Sequence, residues 1–91
     1  MATTGTATID FGSKATDTSV AVTGQTGILS NSYVEAWIVP AATASNTADN
    51  HWVEKIRVVA GNISAGVGFT IYAIVDEGLA HGQYNVGWVW T

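Results

Sequence analysis

Phe69, Ile71, Ala73 and Val75 occupy every second position of Phe69-Thr70-Ile71-Tyr72-Ala73-Ile74-Val75-Asp76. A period of two places all four on one face of an extended chain, so this segment predicts a half-buried strand. Upstream, Trp52-Val53-Glu54-Lys55-Ile56-Arg57-Val58-Val59-Ala60 reads as its partner arm. Between them, Gly61-Asn62-Ile63-Ser64-Ala65-Gly66-Val67-Gly68 is rich in turn formers. Together they predict a hairpin from Trp52 to Asp76 at the centre of the domain.

The rest of the chain repeats this alternation in shorter pieces. Ala7, Ile9 and Phe11 point one way, Thr8 and Asp10 the other. Val20 and Val22 give Thr18–Thr23 an inward face, and Ile28-Leu29 reads as a short apolar plug between two turns. Tyr33–Val39 is a strand closed by Pro40, which has no N–H to give to a ladder. Val34, Ala36 and Ile38 form one apolar face; Tyr33, Trp37 and Val39 form another, interrupted by Glu35. Two covered faces suggest a strand lying between its own core and a neighbouring subunit. Ala41–Asn50 is the longest polar stretch and predicts an exposed loop with room for one helical turn. Glu77–Gln83 is a second loop. The last strand, Tyr84–Trp90, aligns Val86, Trp88 and Trp90 on one face. About six strands separated by turn signals predict an all-β fold, a small antiparallel β-sandwich. The chain reads as a single domain, 1–91, with residues 1–5 as a flexible or partner-pinned arm.

Composition adds a constraint on the surface. The 91 residues are 47% hydrophobic and 11% charged, where about 25% charged is usual. A chain this short buries roughly 60–65% of its unfolded surface. There are no cysteines to staple the fold or bind zinc. Thr, Ser, Asn and Gly must cover the outside, or another subunit must. Homo-oligomerisation is therefore expected. Lys14, Lys55 and Arg57 are the three basic residues against seven acidic ones, for a net charge of −4. Binding to nucleic acid through phosphates needs clustered Lys and Arg, so no nucleic-acid partner is expected. No basic amphipathic helix and no long apolar run suggests a membrane partner. Met1–Thr6 has neither a charged n-region nor an apolar h-region, so a secretory signal is not expected there.

Chemistry-bearing residues are few. His51, His81 and a nearby carboxylate, Asp49 or Asp76, would make a metal site if their loops met, but no HxH or HxxxH spacing supports this, and no cofactor is expected. Asp76 and Glu77 are adjacent and point to opposite faces, unlike the facing carboxylates of glycoside hydrolysis. No Ser sits in a nucleophile elbow. A non-enzymatic protein is expected. Lys55 and Arg57 share a strand face and form a polar stripe suited to a subunit contact or a ligand hydroxyl. Trp37, Trp52, Trp88 and Trp90 are many for this length. Trp88 reads as core. Trp37, Trp52 and Trp90 join Asp49, His51, Lys55, Arg57 and His81 as interface or ligand candidates.

Two resemblances meet on these residues. Val34-Glu35-Ala36-Trp37-Ile38-Val39-Pro40-Ala41-Ala42-Thr43, His51-Trp52-Val53-Glu54, Val58–Ile63, Gly68–Ala73 and Gly82–Trp90 resemble small structural proteins of tailed bacteriophages. That likeness covers most of the chain from Ala7 onward. It implies a virion component such as a capsid decoration, head-fibre or tail protein, assembled in a host cytoplasm beside other virion proteins. More loosely, Ala60-Gly61-Asn62-Ile63, Gly68-Phe69-Thr70-Ile71 and Val86-Gly87-Trp88 are similar to the strand motifs of the H-type lectin sandwich. That resemblance implies a six-stranded sandwich that trimerises. The sugar-binding residues of those lectins have no secure counterparts in this chain. The expected function is a structural virion protein. The alternative is a lectin-like carbohydrate-binding module for host attachment, with Ala41–Asn50, His51, Trp52 and His81 holding a surface glycan.

Overall fold

The computed structural model describes residues 2–91. Six strands and one short helix follow one another: β1 (Thr3–Asp10), β2 (Asp17–Val22), β3 (Val34–Ile38), α1 (Ala48–Val53), β4 (Ile56–Ser64), β5 (Gly68–Val75) and β6 (Gln83–Trp90). They form two antiparallel three-stranded sheets, ordered β1-β6-β3 and β2-β5-β4. The fold is the small all-β sandwich that the alternation predicts. The layers close on each other at their flanks, where β3 lies beside β4 and β1 beside β2.

The predicted inward faces meet between the sheets. Phe69, Ile71, Ala73 and Val75 of β5 are all buried, as are Ile9, Phe11, Val22, Tyr84, Val86 and Trp88. Aromatic edges interlock across the core. Phe69 meets Trp88 with centroids 5.5 Å apart and planes at 77°, and Phe11 meets Tyr84 at 5.8 Å and 85°. Trp88 lies against Gly5, where a Cβ would come within 2.3 Å of its ring. Among the described residues its Nε1–H is buried without a protein acceptor. Leaving such a donor unpaired costs about 1–3 kcal/mol. Burying roughly 200 Å² of indole contributes about 5 kcal/mol, so the position remains favourable for tryptophan.

Several boundaries differ from those read in sequence. The hairpin's first arm begins at Ile56 rather than Trp52, because residues 48–53 coil into α1. Thr47 caps that helix, its side chain accepting the Asn50 N–H at 3.2 Å, and Asp49 sits in the first turn. The same arm runs on past Ala60 to Ser64 through a β-bulge between Gly61 and Ser64. Asn62 takes φ +52 there, a left-handed conformation that Asn tolerates. Nor is the hairpin central as a unit. β5 is the middle strand of one sheet, β4 is its edge, and β6 is the middle of the other. The expected arm 1–5 is not loose where it is described: Thr3, Thr4 and Gly5 pair with Trp90, Val89 and Trp88. Met1 lies outside the described residues. Of the predicted plug, Ile28 is buried but Leu29 is 62% exposed.

Gly68 begins β5 beside the end of its antiparallel neighbour β2. A Cβ there would fall 1.7 Å from the Val22 carbonyl oxygen and 2.8 Å from its carbon, both backbone atoms. Gly68→Ala must therefore displace a strand, and we expect a loss of about 3 kcal/mol. Urea unfolding followed by tryptophan fluorescence measures it; an unchanged midpoint would contradict this packing.

Candidate functional site

The polar stretch Ala41–Asn50 is folded back onto the start of β6 as a clamp. The Thr43 hydroxyl donates to the Gln83 carbonyl at 2.9 Å and accepts from the N–H groups of Ser45 and Asn46. Asn46 is 3% exposed, and its Nδ2 donates to the carbonyls of His81 and Gln83, both at 2.9 Å. Ser45 Oγ accepts the Gln83 N–H at 2.7 Å. Asn85 Nδ2 reaches the Ala41 carbonyl at 2.7 Å. A loop this long would leave β6 with unpaired backbone groups, and these short polar side chains satisfy them.

His51 completes the clamp. It is 3% exposed, the buried residue of α1. Nε2 accepts the Asn85 N–H at 2.9 Å, so the ring proton sits on Nδ1, which donates to the Thr47 carbonyl at 2.8 Å. The imidazole also packs edge-on against Tyr84, 4.9 Å between centroids. Both ring nitrogens are committed to backbone, and the ring faces the core rather than a ligand. The lectin-like ligand set drawn around His51 is corrected on this point.

The other candidates are dispersed. Asp49 and Trp52 are on the outer side of α1, Trp52 being 81% exposed. His81 is exposed in the adjoining loop, which meets the clamp through its carbonyl. Among the described residues no three His, Cys, Asp or Glu side chains are placed to hold a metal ion. Lys55, just before β4, and Arg57, its second residue, are exposed, and Arg57 Nε donates to Asp76 Oδ1 at 2.8 Å. Trp37 lies flat over Gly87 on the outer face of the β1-β6-β3 sheet, still 45% exposed. Trp90 is at the far end of β6, half-buried, its Nε1 donating to Gln25 Oε1 at 2.9 Å. Trp37 and Trp52 thus look out from separate parts of the molecule, while Trp90 packs against the core.

A further surface was not among the candidates. The outward positions of β2-β5-β4 carry Val59, Tyr72 and Ile74, at 63%, 42% and 42% exposure. Their signal lay in the alternation itself: if Ile71 and Ala73 point inward, Tyr72 and Ile74 point outward, and neither is polar. A hollow of about 410 Å³ opens on this face between Asp17, Arg57, Val59, Tyr72 and Ile74. Compared with known proteins, the chain matches no family model, no curated protein and no solved structure. The class that the structure defines is a small two-sheet antiparallel β-sandwich with apolar side chains on both outer faces.

His51→Phe keeps an aromatic ring but orphans the Asn85 N–H and leaves the Thr47 carbonyl with only the 3.4 Å bond from the backbone N–H of residue 51. We expect a loss of about 2 kcal/mol and a melting midpoint lower by roughly 10 °C, whereas Trp52→Ala should cost under about 0.5 kcal/mol. Differential scanning calorimetry of the two variants tests that contrast. Tyr84 gives a pH signature. Burial first, and the charge of Glu54 second, push its phenol above the ordinary value of 10.0. The fold therefore favours the neutral phenol. That stabilisation is complete below pH 10 and is lost as pH rises through the raised native value. The melting midpoint should fall above about pH 10, and less steeply in Tyr84→Phe. Equal slopes in the two proteins would refute the assignment.

Proposed function

We propose that the chain is a non-enzymatic structural protein of a bacteriophage particle, a self-associating β-sandwich attached to the capsid or tail. The observation that carries the self-association is the apolar character of outward strand positions. Val59, Tyr72 and Ile74 on one sheet and Trp37 on the other are exposed at regular strand positions, where a monomer normally places polar residues. Contact with further copies or with other virion proteins removes that surface from water. The phage assignment is supported by the sequence resemblance described above, and the trimer by the lectin-like strand motifs. The clamp at α1 has a structural role in this reading: it seals one end of the sandwich and presents Asp49, Trp52 and His81 on its outside.

A second reading is favoured by Trp52, a ring 81% exposed beside polar loops, which suits stacking against a sugar. One set of measurements separates the two. Sedimentation of the purified protein should show species larger than one chain. Antibody to the chain should stain the particle fractions of a density gradient prepared from producing cells. A monomer at all concentrations that is absent from those fractions would refute the proposal. Saturable binding on a glycan array, abolished by Trp52→Ala, would move the function to sugar recognition.

A further inference from the structure

The outer face of the β2-β5-β4 sheet has an order that a second copy of the chain can read. Register fixes its rows. Asp17, Ile74 and Arg57 lie side by side across the three strands; the next row is Ser19, Tyr72 and Val59, and the next Ala21, Thr70 and Gly61. The middle strand is the apolar ridge of Ile74 and Tyr72. One flank begins with an acid and continues with short side chains. The opposite flank begins with a base and continues with valine.

We propose that this face pairs two copies of the chain about a two-fold axis running along β5. The inference rests on the self-association proposed above and adds to it a two-fold contact, separate from a three-fold seam. A two-fold along β5 exchanges the flanks while keeping each residue's height on the strand. Asp17 of each copy then stands over Arg57 of the other, and Ser19 stands over Val59. Ile74 and Tyr72 meet their own counterparts on the axis. The contact is isologous, so each charge pair and each large-over-small pair is made twice. A two-fold running across the strands would lay β2 on β2 and could not bring Asp17 to Arg57. Aligned sheets cross at about 30°, so the axis stays within roughly 15° of β5.

The side chains are available for this. Arg57 is 71% exposed, and its contact with Asp76 uses Nε, which leaves its terminal nitrogens free for a second carboxylate. Asp17 is exposed at the other rim of the hollow of about 410 Å³. The partner's Ile74 and Tyr72, on the axis, are the groups that would enter that hollow. Strand spacing and rise give the face a plan of roughly 15 by 25 Å. That is below the 800 Å² or so per partner of a standard stable interface, so the pair is expected to be reversible rather than obligate.

Charge reversal tests it. Wild type, Arg57→Asp, Asp17→Arg, the double variant Asp17→Arg/Arg57→Asp, and an equimolar mixture of the two single variants are compared by sedimentation from micromolar to millimolar concentration. Circular dichroism confirms that each is folded, which is expected because both sites are on the surface. Each single reversal sets like charges opposite one another twice and should weaken pairing by roughly tenfold or more. The double variant should pair with itself again, and the mixture should form a pair holding one chain of each kind. Single variants that associate like wild type, as dimers or as trimers, would overturn this surface while leaving self-association standing. A double variant or mixture as weak as the single variants would overturn it too. Wild type that remains a monomer throughout would remove both this surface and the self-association it rests on.

Discussion

The structure depends on two middle strands facing each other. β5 and β6 each have neighbours on both sides, and their inward side chains close the space between the layers. Phe69 on one and Trp88 on the other meet edge to face between the layers. With no disulfide to fall back on, the chain has this core and its ladders to oppose the entropy of ordering 91 residues. Other features are arranged to allow that approach. Gly5 leaves room for the Trp88 ring, and Gly68 lets β5 pass close to the backbone of β2. Even an indole N–H without a partner among the described residues is tolerated, because the ring around it contributes more than the donor loses.

The α1 corner solves a different problem, that of a long polar connection in a small domain. Between β3 and β4 the chain must travel without a ladder, and its backbone groups need partners. Thr43, Ser45, Asn46 and His51 supply them, each bonding to main-chain atoms at or near the start of β6. His51 therefore acts as a rivet between helix and sheet. A histidine of this kind is recognisable from its two backbone partners, not from its type, and its chemistry is spent on holding the corner.

The surface follows from composition. Few ionic side chains are available to cover it, and they are not evenly placed: Asp17 and Arg57 stand at opposite flanks of one apolar sheet face. The other face is covered in part by Trp37, which lies over Gly87 and shields the backbone of β6. Gly87 and Trp37 thus act together, the missing side chain of one making a bed for the ring of the other.

Much of this was legible without coordinates. Period-two alternation marked β1, β2, β5 and β6 and named most of the core, because a strand with one buried face must alternate. Pro40 marked the end of β3 for lack of an N–H. Some local events were not legible. Trp52 and Val53 look like strand residues, yet the Thr47 cap and the inward pull of His51 wind them into α1. Asn62 and the bulge carry β4 past the glycine that seemed to end it. Which polar residues were buried was a tertiary matter: nothing near Asn46 or His51 in sequence announces that their partners lie more than thirty residues away. By itself, then, the sequence determined the strands, their inward faces and a surface poor in charge, since these follow from side chains and a two-residue repeat. The pairing of strands into two sheets, the burial of His51 and the alignment of Asp17 with Arg57 across β5 were decided by the tertiary structure, because each depends on registers between segments distant in the chain.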